Sequence, residues 1–293
     1  MNRVLITGGA GFLGRHLIKK MLDKYSKIEI KSISRHENEI VEMMVFCNND
    51  SRLKPIIGDI REVDTLGYAL RDVDTVIHLA AMKHIDFCEL YPSETIFANI
   101  IGTMNLLKLF AGETFLGMST DKAVEATGSY GATKLLLEKL VLEKARKNRK
   151  CRYMIVRSGN IFGSSGSVIQ RWKQEIKQSN RVTVTNVEMT RFFIDVSDLA
   201  DFIIRKIKQG ASGKIYVPFQ KVVRLGDLAK AMIELYGDKK TKMEIIGLRE
   251  GEKMHERLLL PWQKDVVSDL IADSSENGEV LSLQKIKNWL AEY

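Results

Sequence analysis

The chain has 293 residues, of which 45% are hydrophobic and 28% are charged, so it can bury a core without disulfides or a structural metal. Its three cysteines, Cys47, Cys88 and Cys151, are far apart, and no C-x-x-C spacing points to a zinc site or a disulfide framework. The chain opens directly on an apolar strand, and no apolar run approaches the ~18 residues of a membrane span. We therefore expect a cytoplasmic protein with no metal site and no membrane segment.

The formal net charge is +8, and the most basic segment is 144–152. Such a cluster can bind nucleic acid or an anionic membrane surface. Cations also suit the solvated C-terminal end of a helix, where they interact favourably with the helix dipole. We favour this second interpretation, and expect no specific nucleic-acid partner and no membrane partner.

The first half of the chain alternates strand-like and helical segments. Strand-like runs cover 3–6, 28–34, 53–58, 75–80, 114–118 and 152–158. Between them, apolar residues recur at helical spacing, as in Leu13, Leu17 and Met21. Such alternation builds βαβ units with right-handed crossovers and helices on both faces of a parallel sheet. We predict an α/β fold, with a Rossmann-type doubly wound parallel sheet and a smaller C-terminal mixed α/β lobe.

The pattern changes after Gly159, where polar loops precede a strand and helix within 191–209 and a helix at Leu225–Tyr236. We assign 1–158 to the Rossmann domain, with a segment at about 192–217 returning to it. The smaller lobe then comprises 159–191 and 218–293. The cleft between this lobe and the carboxyl ends of the strands is where we expect the substrate.

A glycine loop follows the first strand. Gly8, Gly11 and Gly14 give G-x-x-G-x-x-G spacing, and the next helix starts near Phe12 and Leu13. Glycines allow a tight turn and let backbone N–H groups approach a pyrophosphate at the helix N-terminus. The loop therefore predicts a dinucleotide site, rather than an ordinary glycine turn.

The second strand ends in Ser34-Arg35, where an NAD site usually carries an acidic residue for the ribose 2′-hydroxyl. A guanidinium binds phosphate through paired charged hydrogen bonds, so we predict NADP as the cofactor. The alternative is that Arg35 is merely exposed to solvent. The other expected cofactor contacts are Asp59 and Ile60 at the adenine, and Ala80 and Ala81 beneath the cofactor.

Tyr130 and Lys134 are four residues apart at the start of a predicted helix, so both lie on one face. A lysine there can hold the nicotinamide ribose and lower the pKa of the tyrosine from its usual value of about 10. A core tyrosine beside a surface lysine is the alternative. Behind a glycine-rich βαβ opening, the pair indicates catalysis.

The glycine loop and the Y-x-x-x-K pair resemble those of extended short-chain dehydrogenases/reductases. Further strings resemble the soluble, inverting UDP-N-acetylglucosamine 4,6-dehydratases, and they run in order over nearly the whole chain. They are Ser119-Thr120-Asp121-Lys122-Ala123, Lys83-His84, Ser158-Gly159-Asn160, the glycine turn at 163–168, Met189-Thr190-Arg191-Phe192 and Arg249-Glu250-Gly251-Glu252-Lys253. The chain departs from that family at 124–129, where an Asn-Pro turn is usual, and at Ser165, where arginine is usual.

The resemblance implies an internal redox reaction on a UDP-sugar. Tyr130 would take the 4-hydroxyl proton, Lys122 the C5 proton, and Asp121 would protonate the departing 6-hydroxyl, with Thr120 beside them. The substrate contacts that we carry over or infer are Lys83, His84, Asn160, Arg191, Arg249 and Glu252, with the two arginines as candidates for the diphosphate. Asn99 is a candidate for orienting the active-site backbone. A structural alternative is that Thr120 or Asp121 only caps a short helix and Lys122 is solvated.

Two other functions remain open. A nucleotide-sugar 4-epimerase or reductase would keep Tyr130 and Lys134 but would need no Asp-Lys pair. A non-catalytic protein that senses NADP or binds RNA would keep only the fold, since fold does not fix function.

We also expect a homo-oligomer. The helix that carries Tyr130 has more apolar residues than one core-facing side needs, namely Leu135, Leu136, Leu137, Leu140, Val141 and Leu142. Together with the predicted helix near 96–109, it could pair with a symmetry mate. Full burial within the monomer is the alternative.

Overall fold

The computed structural model describes residues 2–164, 166–249, 251–263, 265–269 and 273–292. The strands are β1 (Arg3–Thr7), β2 (Glu29–Ser34), β3 (Leu53–Ile57), β4 (Thr75–His78), β5 (Thr114–Thr120), β6 (Arg152–Ser158), β7 (Asn160–Ile161), β8 (Arg181–Val184), β9 (Thr190–Ile194), β10 (Lys214–Val217), β11 (Lys221–Arg224), β12 (Lys242–Ile245) and β13 (Val266–Ser268). The helices are α1 (Phe12–Lys24), α2 (Glu37–Phe46), α3 (Val63–Ala69), α4 (Ile85–Leu90), α5 (Pro92–Ile96), α6 (Gly102–Leu109), α7 (Ser129–Lys147), α8 (Val168–Ser179), α9 (Val196–Gln209), α10 (Leu225–Tyr236) and α11 (Leu283–Ala291). A π-helical turn (Phe97–Ile101) joins α5 to α6, and a 3-10 turn (Asp121–Ala123) follows β5.

The large sheet has eight parallel strands in the order β13-β10-β6-β5-β4-β1-β2-β3. From β1 the chain moves outward through β2 and β3, and then crosses to β4 on the other side of β1. This reversal creates a crevice at the carboxyl ends of β1 and β4, where doubly wound sheets bind their ligands. The predicted α/β Rossmann fold is confirmed.

Helices cover both faces of this sheet, and each face has its own apolar core. On one face, α1 and α9 bury residues such as Leu17, Ile18 and Ile203 against the strands. On the other face, α6 and α7 bury Leu106 and Val141 in the same way. Because both faces are covered, the strands are apolar along most of their length.

The smaller lobe contains a three-stranded sheet, β11-β9-β7, and a two-stranded sheet, β12-β8. Its core packs α8, α10 and α11 together, with Trp172 fully buried and Phe162 stacked on Trp289 at 3.8 Å between ring centroids. Within the returning segment, α9 packs beside α1 on the large sheet and β10 joins that sheet as a strand. The strand β9 belongs to the three-stranded sheet. Val266–Ser268, which we assigned to the smaller lobe, instead pairs with β10 at the edge of the large sheet, because the chain passes back across that edge.

The basic segment 144–152 contributes to the fold. Arg152 donates to the carbonyl oxygens of Ile207 and Gly210, and Lys147 pairs with Glu143 on the same helix. Cys47, Cys88 and Cys151 are buried free thiols. Among the described residues, no helix is both long and apolar enough to cross a membrane.

Candidate active site

The glycine loop lies at the carboxyl end of β1. Gly8 has a φ of +70° and touches the end of β4 so closely that a Cβ would lie 2.8 Å from the backbone nitrogen of Ala80. Gly14 packs on the loop itself, where a Cβ would lie 2.5 Å from the Gly9 Cα. No side chain caps the first turn of α1, which begins at Phe12 after Gly11. The loop therefore fits a dinucleotide: its tight turns need glycine, and its free helix N-terminus suits a pyrophosphate.

The end of β2 presents the residues predicted to select the cofactor. Ser34 is buried and accepts a hydrogen bond from the Ala10 amide at 3.2 Å, so it braces the glycine loop. Arg35 is 47% exposed, and its guanidinium lies 3.9 Å from the Asp59 carboxylate. Burial would raise the pKa of Asp59, but hydrogen bonds from Arg61 outweigh it and the pKa is lowered. The carboxylate is thus held mainly by Arg61, at 2.8 Å, and the Arg35 guanidinium stays largely exposed.

A buried polar network connects the glycine loop to the helix of Tyr130. His78 bridges the hydroxyls of Thr7 and Thr103, at 2.7 and 2.9 Å. Thr103 donates to the Asn99 carbonyl, and the Asn99 side chain donates to Thr133 on α7. Burial lowers the pKa of His78 to about 3, so the ring is neutral at pH 7.

Asn99 also holds the segment after β4. Its side chain exchanges two hydrogen bonds with the backbone of Met82, at 2.8 and 3.0 Å. The nearby residues Ala80 and Ala81 are partly buried. Asn99 therefore fixes the backbone that follows β4, and its role in orienting an active site stays a prediction.

Tyr130 and Lys134 lie one turn apart at the start of α7. Lys134 is 3% exposed and donates to the Met118 carbonyl oxygen at 2.7 Å, and burial lowers its pKa to about 8. We expected this lysine to lower the pKa of Tyr130. Instead, burial and the Asp121 carboxylate raise it, while a hydrogen bond with Thr120 acts in the opposite direction.

Asp121 and Lys122 form a contact pair directly after β5. Lys122 donates to Asp121 at 3.0 Å and lies 3.4 Å from the side-chain oxygen of Asn160. Asp121 is fully buried and also accepts from the Thr120 hydroxyl at 2.8 Å. Thr120 does cap the short 3-10 turn, but the Lys122 side chain is only 21% exposed. Thr120 therefore caps the turn while Lys122 and Asp121 also form their ion pair.

Glu256 is a residue of this site that the sequence analysis missed. Its carboxylate lies 3.8 Å from the Lys122 ammonium and 3.7 Å from that of Lys253, and the residue is 3% exposed. Burial and the Asp121 carboxylate raise its pKa, while the nearby cations act in the opposite direction. The contact joins positions 134 residues apart, and only its place beside the Arg249–Lys253 string could have drawn attention to it.

A buried ion pair lies next to β5. Arg157 and Glu138 are almost fully buried and form a bidentate contact, with hydrogen bonds of 2.8 and 2.7 Å. Glu138 also accepts from the Ser119 hydroxyl, and Arg157 donates to the carbonyl of Leu258 at 2.6 Å. The pair thereby links α7 and β6 to the segment that carries Glu256.

The two candidate diphosphate arginines have different surroundings. Arg191 is 6% exposed and donates to the carbonyl oxygens of Thr190, Met254 and Lys253, so in this structure it supports backbone and is not displayed for a ligand. Arg249 is 36% exposed and lies 3.5 Å from Asp86.

Two further residues extend this end of the site. Arg171 on α8 lies close enough to Arg249 for the two charges to interact, and burial, together with that charge, lowers the pKa of Arg171. Glu252 accepts a hydrogen bond from the Arg249 amide at 3.2 Å.

Lys83 and His84 lie at the start of α4, and both are exposed. His84 faces the turn after β7 so closely that a Cβ on Gly166 would lie 2.4 Å from its ring. Ser165 and Glu250, which belong to the strings that carry the resemblance, lie outside the described residues.

The altered loop at 124–129 docks on the segment 251–257. Lys253 donates to the Val124 carbonyl at 2.7 Å, and the Thr127 hydroxyl donates to the Gly251 carbonyl at 2.8 Å. Glu89 of α4 accepts from both the amide and the hydroxyl of Ser129. The loop thus closes the space between α4 and the smaller lobe without the Asn-Pro turn.

The arrangement suits proton transfer. A tyrosine, a lysine and two carboxyl groups meet at the strand ends, beside a loop that fits a dinucleotide. The described residues contain no cluster of three or more His, Cys, Asp or Glu side chains that could hold a metal ion. The sheet topology and the Tyr130–Lys134 pair are those of an extended short-chain dehydrogenase/reductase.

Within that class, the chain belongs to the polysaccharide biosynthesis protein family, whose model matches residues 4–271. It is similar to the inverting UDP-N-acetylglucosamine 4,6-dehydratase of Campylobacter jejuni, with 36% identity over 262 residues, 87% of this chain and 77% of the relative. It is as similar to a UDP-glucose 4-epimerase of Rickettsia bellii, with 36% identity over 275 residues, 91% of this chain and 80% of the relative.

Solved structures share the fold. Pen from Bacillus thuringiensis is 30% identical, with a TM-score of 0.91 over 100% of this chain and 98% of that one. DesIV from Streptomyces venezuelae, a dTDP-glucose 4,6-dehydratase solved with NAD bound, is 21% identical, with a TM-score of 0.78 over 86% of each chain. The second likeness supports the fold alone.

Proposed function

We propose that the protein is an NADP-dependent UDP-sugar 4,6-dehydratase that converts UDP-N-acetylglucosamine to a UDP-4-keto-6-deoxy-hexosamine. The observation that carries this proposal is the Asp121–Lys122 pair, joined at 3.0 Å, with Asp121 fully buried beside Tyr130. A hydride shuttle at C4 needs only a tyrosine and a lysine, whereas elimination of water from C5 and C6 needs a further base and a further acid. The pair supplies both.

The cofactor would lie along the carboxyl ends of β1, β2 and β4. The glycine loop and the start of α1 would hold its pyrophosphate, and Lys134 its nicotinamide ribose. Arg35 supports the choice of NADP, because it is largely exposed and can form paired hydrogen bonds with a 2′-phosphate. When bound, the cofactor supplies the acceptor and donor of the hydride that moves from C4 to C6.

Proton transfer within the pair prepares it for elimination. When Lys122 passes a proton across its hydrogen bond to Asp121, the lysine becomes a neutral base and the aspartate a neutral acid. Lys122 then removes the C5 proton, and Asp121 protonates the departing 6-hydroxyl. The same transfer neutralises the Asp121 carboxylate, whose charge raises the pKa of Tyr130. The tyrosinate form of Tyr130, which accepts the 4-hydroxyl proton, is then easier to form.

The substrate would span both lobes. Asn160, which touches Lys122, and the exposed Lys83 and His84 would contact the sugar. Arg249, with Arg171 beside it, would contact the diphosphate, and Glu252 the sugar or the uridine ribose. We assign Arg191 to holding the segment 253–254 in place, because its donors are committed to carbonyl oxygens.

Mass spectrometry of the product tests this function. The protein is incubated with UDP-N-acetylglucosamine and NADP, and we expect a product lighter by one water. Lys122→Ala is the matched control, which should bind the nucleotide sugar and release no such product.

The second candidate is a UDP-sugar 4-epimerase. The observation that favours it is the equal identity to the Rickettsia bellii relative. An epimerase would return a product of unchanged mass with altered stereochemistry at C4, and that result would overturn the dehydratase proposal.

A further inference from the structure

We propose that Glu256 is a positioning residue of the elimination, which acts through Lys122 and Asp121 by holding the charge that keeps a proton on their pair. This inference rests on the proposed dehydratase function. It concerns a residue outside every motif that led to that function. It starts from the position of the carboxyl group, 3.8 Å from the Lys122 ammonium and 4% exposed.

The backbone of Glu256 is fixed from several sides. Its amide donates to the Ser275 hydroxyl and its carbonyl accepts from the Ser275 amide, both at 2.8 Å. Two residues earlier, the Met254 carbonyl accepts from Arg191, and two residues later the Leu258 carbonyl accepts from Arg157. These backbone contacts fix the position of residue 256, so the fold keeps its carboxyl group next to Lys122 and Asp121.

The charges around Glu256 come from three parts of the chain. Asp121 and Lys122 face it from the turn after β5, Arg191 from β9, and Lys253 from its own segment. His255, its neighbour, bonds instead to the hydroxyl of Thr190 at 2.8 Å. One oxygen each of Asp121 and Glu256 is buried without a hydrogen-bond partner among the described residues.

Asp121 and Glu256 are buried carboxyl groups on either side of the Lys122 ammonium, so ionisation of one opposes ionisation of the other, while Lys122, Lys253 and Arg191 offset part of this cost. A negative charge on Glu256 opposes a second negative charge on Asp121, and the elimination needs Asp121 as an acid. The same charge retains the proton on Lys122 until Asp121 accepts it. No reactant beyond the existing protons is required.

The test compares Glu256→Gln with Glu256→Asp in the complete enzyme. Gln has the same shape without the charge, so both the loss of the proton from Asp121 and the loss of the proton from Lys122 become easier. Both limbs of the pH profile of dehydration should therefore move to lower pH, by about 1–3 units for a charge at this distance. We expect turnover at pH 7 to fall about tenfold to a hundredfold, as is common for residues that orient a reacting group, with little change in KM.

Glu256→Asp should restore part of the turnover and return the pH profile towards that of the native enzyme. Glu276→Gln is the matched control, since it removes an exposed carboxylate from the same C-terminal region. Binding of UDP and of NADP, measured by calorimetry, reports whether each variant has folded.

A native pH profile in a folded Glu256→Gln variant would overturn the inference. So would a uniform loss of turnover with an unshifted profile, which indicates only a structural role. Failure of the proposed function is recognised separately, because the native enzyme itself would then release no dehydrated product.

Discussion

The Glu138–Arg157 ion pair provides the sharpest stability test, and the perturbation is Glu138→Gln. The side chain keeps its shape, but Arg157, whose side chain is 0% exposed, loses the one carboxylate that it contacts among the described residues and meets an amide N–H₂. Leaving one buried charge unpaired costs about 3–5 kcal/mol. A typical domain is stable by only ~5–15 kcal/mol, so the loss should be easily measured.

The assay is urea unfolding followed by the fluorescence of the buried Trp172 and Trp289. The double variant Glu138→Leu/Arg157→Met removes both charges and retains much of the volume. Its loss of unfolding free energy should be smaller than the sum of the losses in Glu138→Leu and in Arg157→Met, by a coupling energy of about 0.5–3 kcal/mol. Simple additivity, or a cost below about 1 kcal/mol for Glu138→Gln, would refute the reasoning from burial.

The same variant has a consequence in the active site. The Glu138 carboxylate raises the pKa of Lys134 against the larger lowering effect of burial, which leaves it at about 8. In Glu138→Gln the pKa should fall further, so Lys134 loses its proton at a lower pH. Cofactor binding that depends on this ammonium should then weaken at a lower pH than in the native protein, as calorimetry across pH 6–9 would reveal.

Arg35→Ala should weaken NADP much more than NAD, and equal affinity of the native protein for both, measured by calorimetry, would contradict the cofactor assignment. Tyr130→Phe should form little 4-keto species, Lys122→Ala should oxidise C4 without exchanging the C5 hydrogen with solvent, and Asp121→Asn should exchange it but eliminate slowly. Each block should cost about 10²–10⁴ in rate, and single-turnover measurements in deuterated solvent would separate the steps. Leu136 on α7 is 51% exposed, and Phe97 and Met104 are also exposed on helical segments that contact α7. Leu136 should therefore lie in a subunit interface, so Leu136→Glu should shift an oligomer towards monomer; a monomeric native protein in light scattering would refute this.

The fold could be predicted because its signals are local. A glycine loop between the first strand and helix, and apolar runs in strict alternation, define a doubly wound sheet without reference to distant residues. The edge strand Val266–Ser268 was missed because three residues give no recognisable period. Its pairing with β10 depends on the three-dimensional path of the chain and not on a local sequence pattern.

The site could be predicted only where its residues are neighbours in sequence. Tyr130 and Lys134 share a helical turn, so their spacing suggested that they meet, whereas the roles of the adjacent Asp121 and Lys122 came from the resemblance to the dehydratases. Glu256 reaches the same place from the far end of the chain, and no local pattern encodes that contact. Arg191 illustrates the converse: arginine in a family string suggested a ligand contact, but long-range packing commits it to backbone carbonyls.

The path of the chain makes the two lobes inseparable. After β6 it enters the smaller lobe, returns to the large sheet as α9 and β10, leaves through β11 and α10, and returns again as β13 before ending in α11. Cutting the chain at any one of these crossings would leave each fragment with strands or helices whose partners are on the other fragment. The lobes should therefore unfold together, and a nicked or truncated protein should lose cofactor and sugar binding in one step.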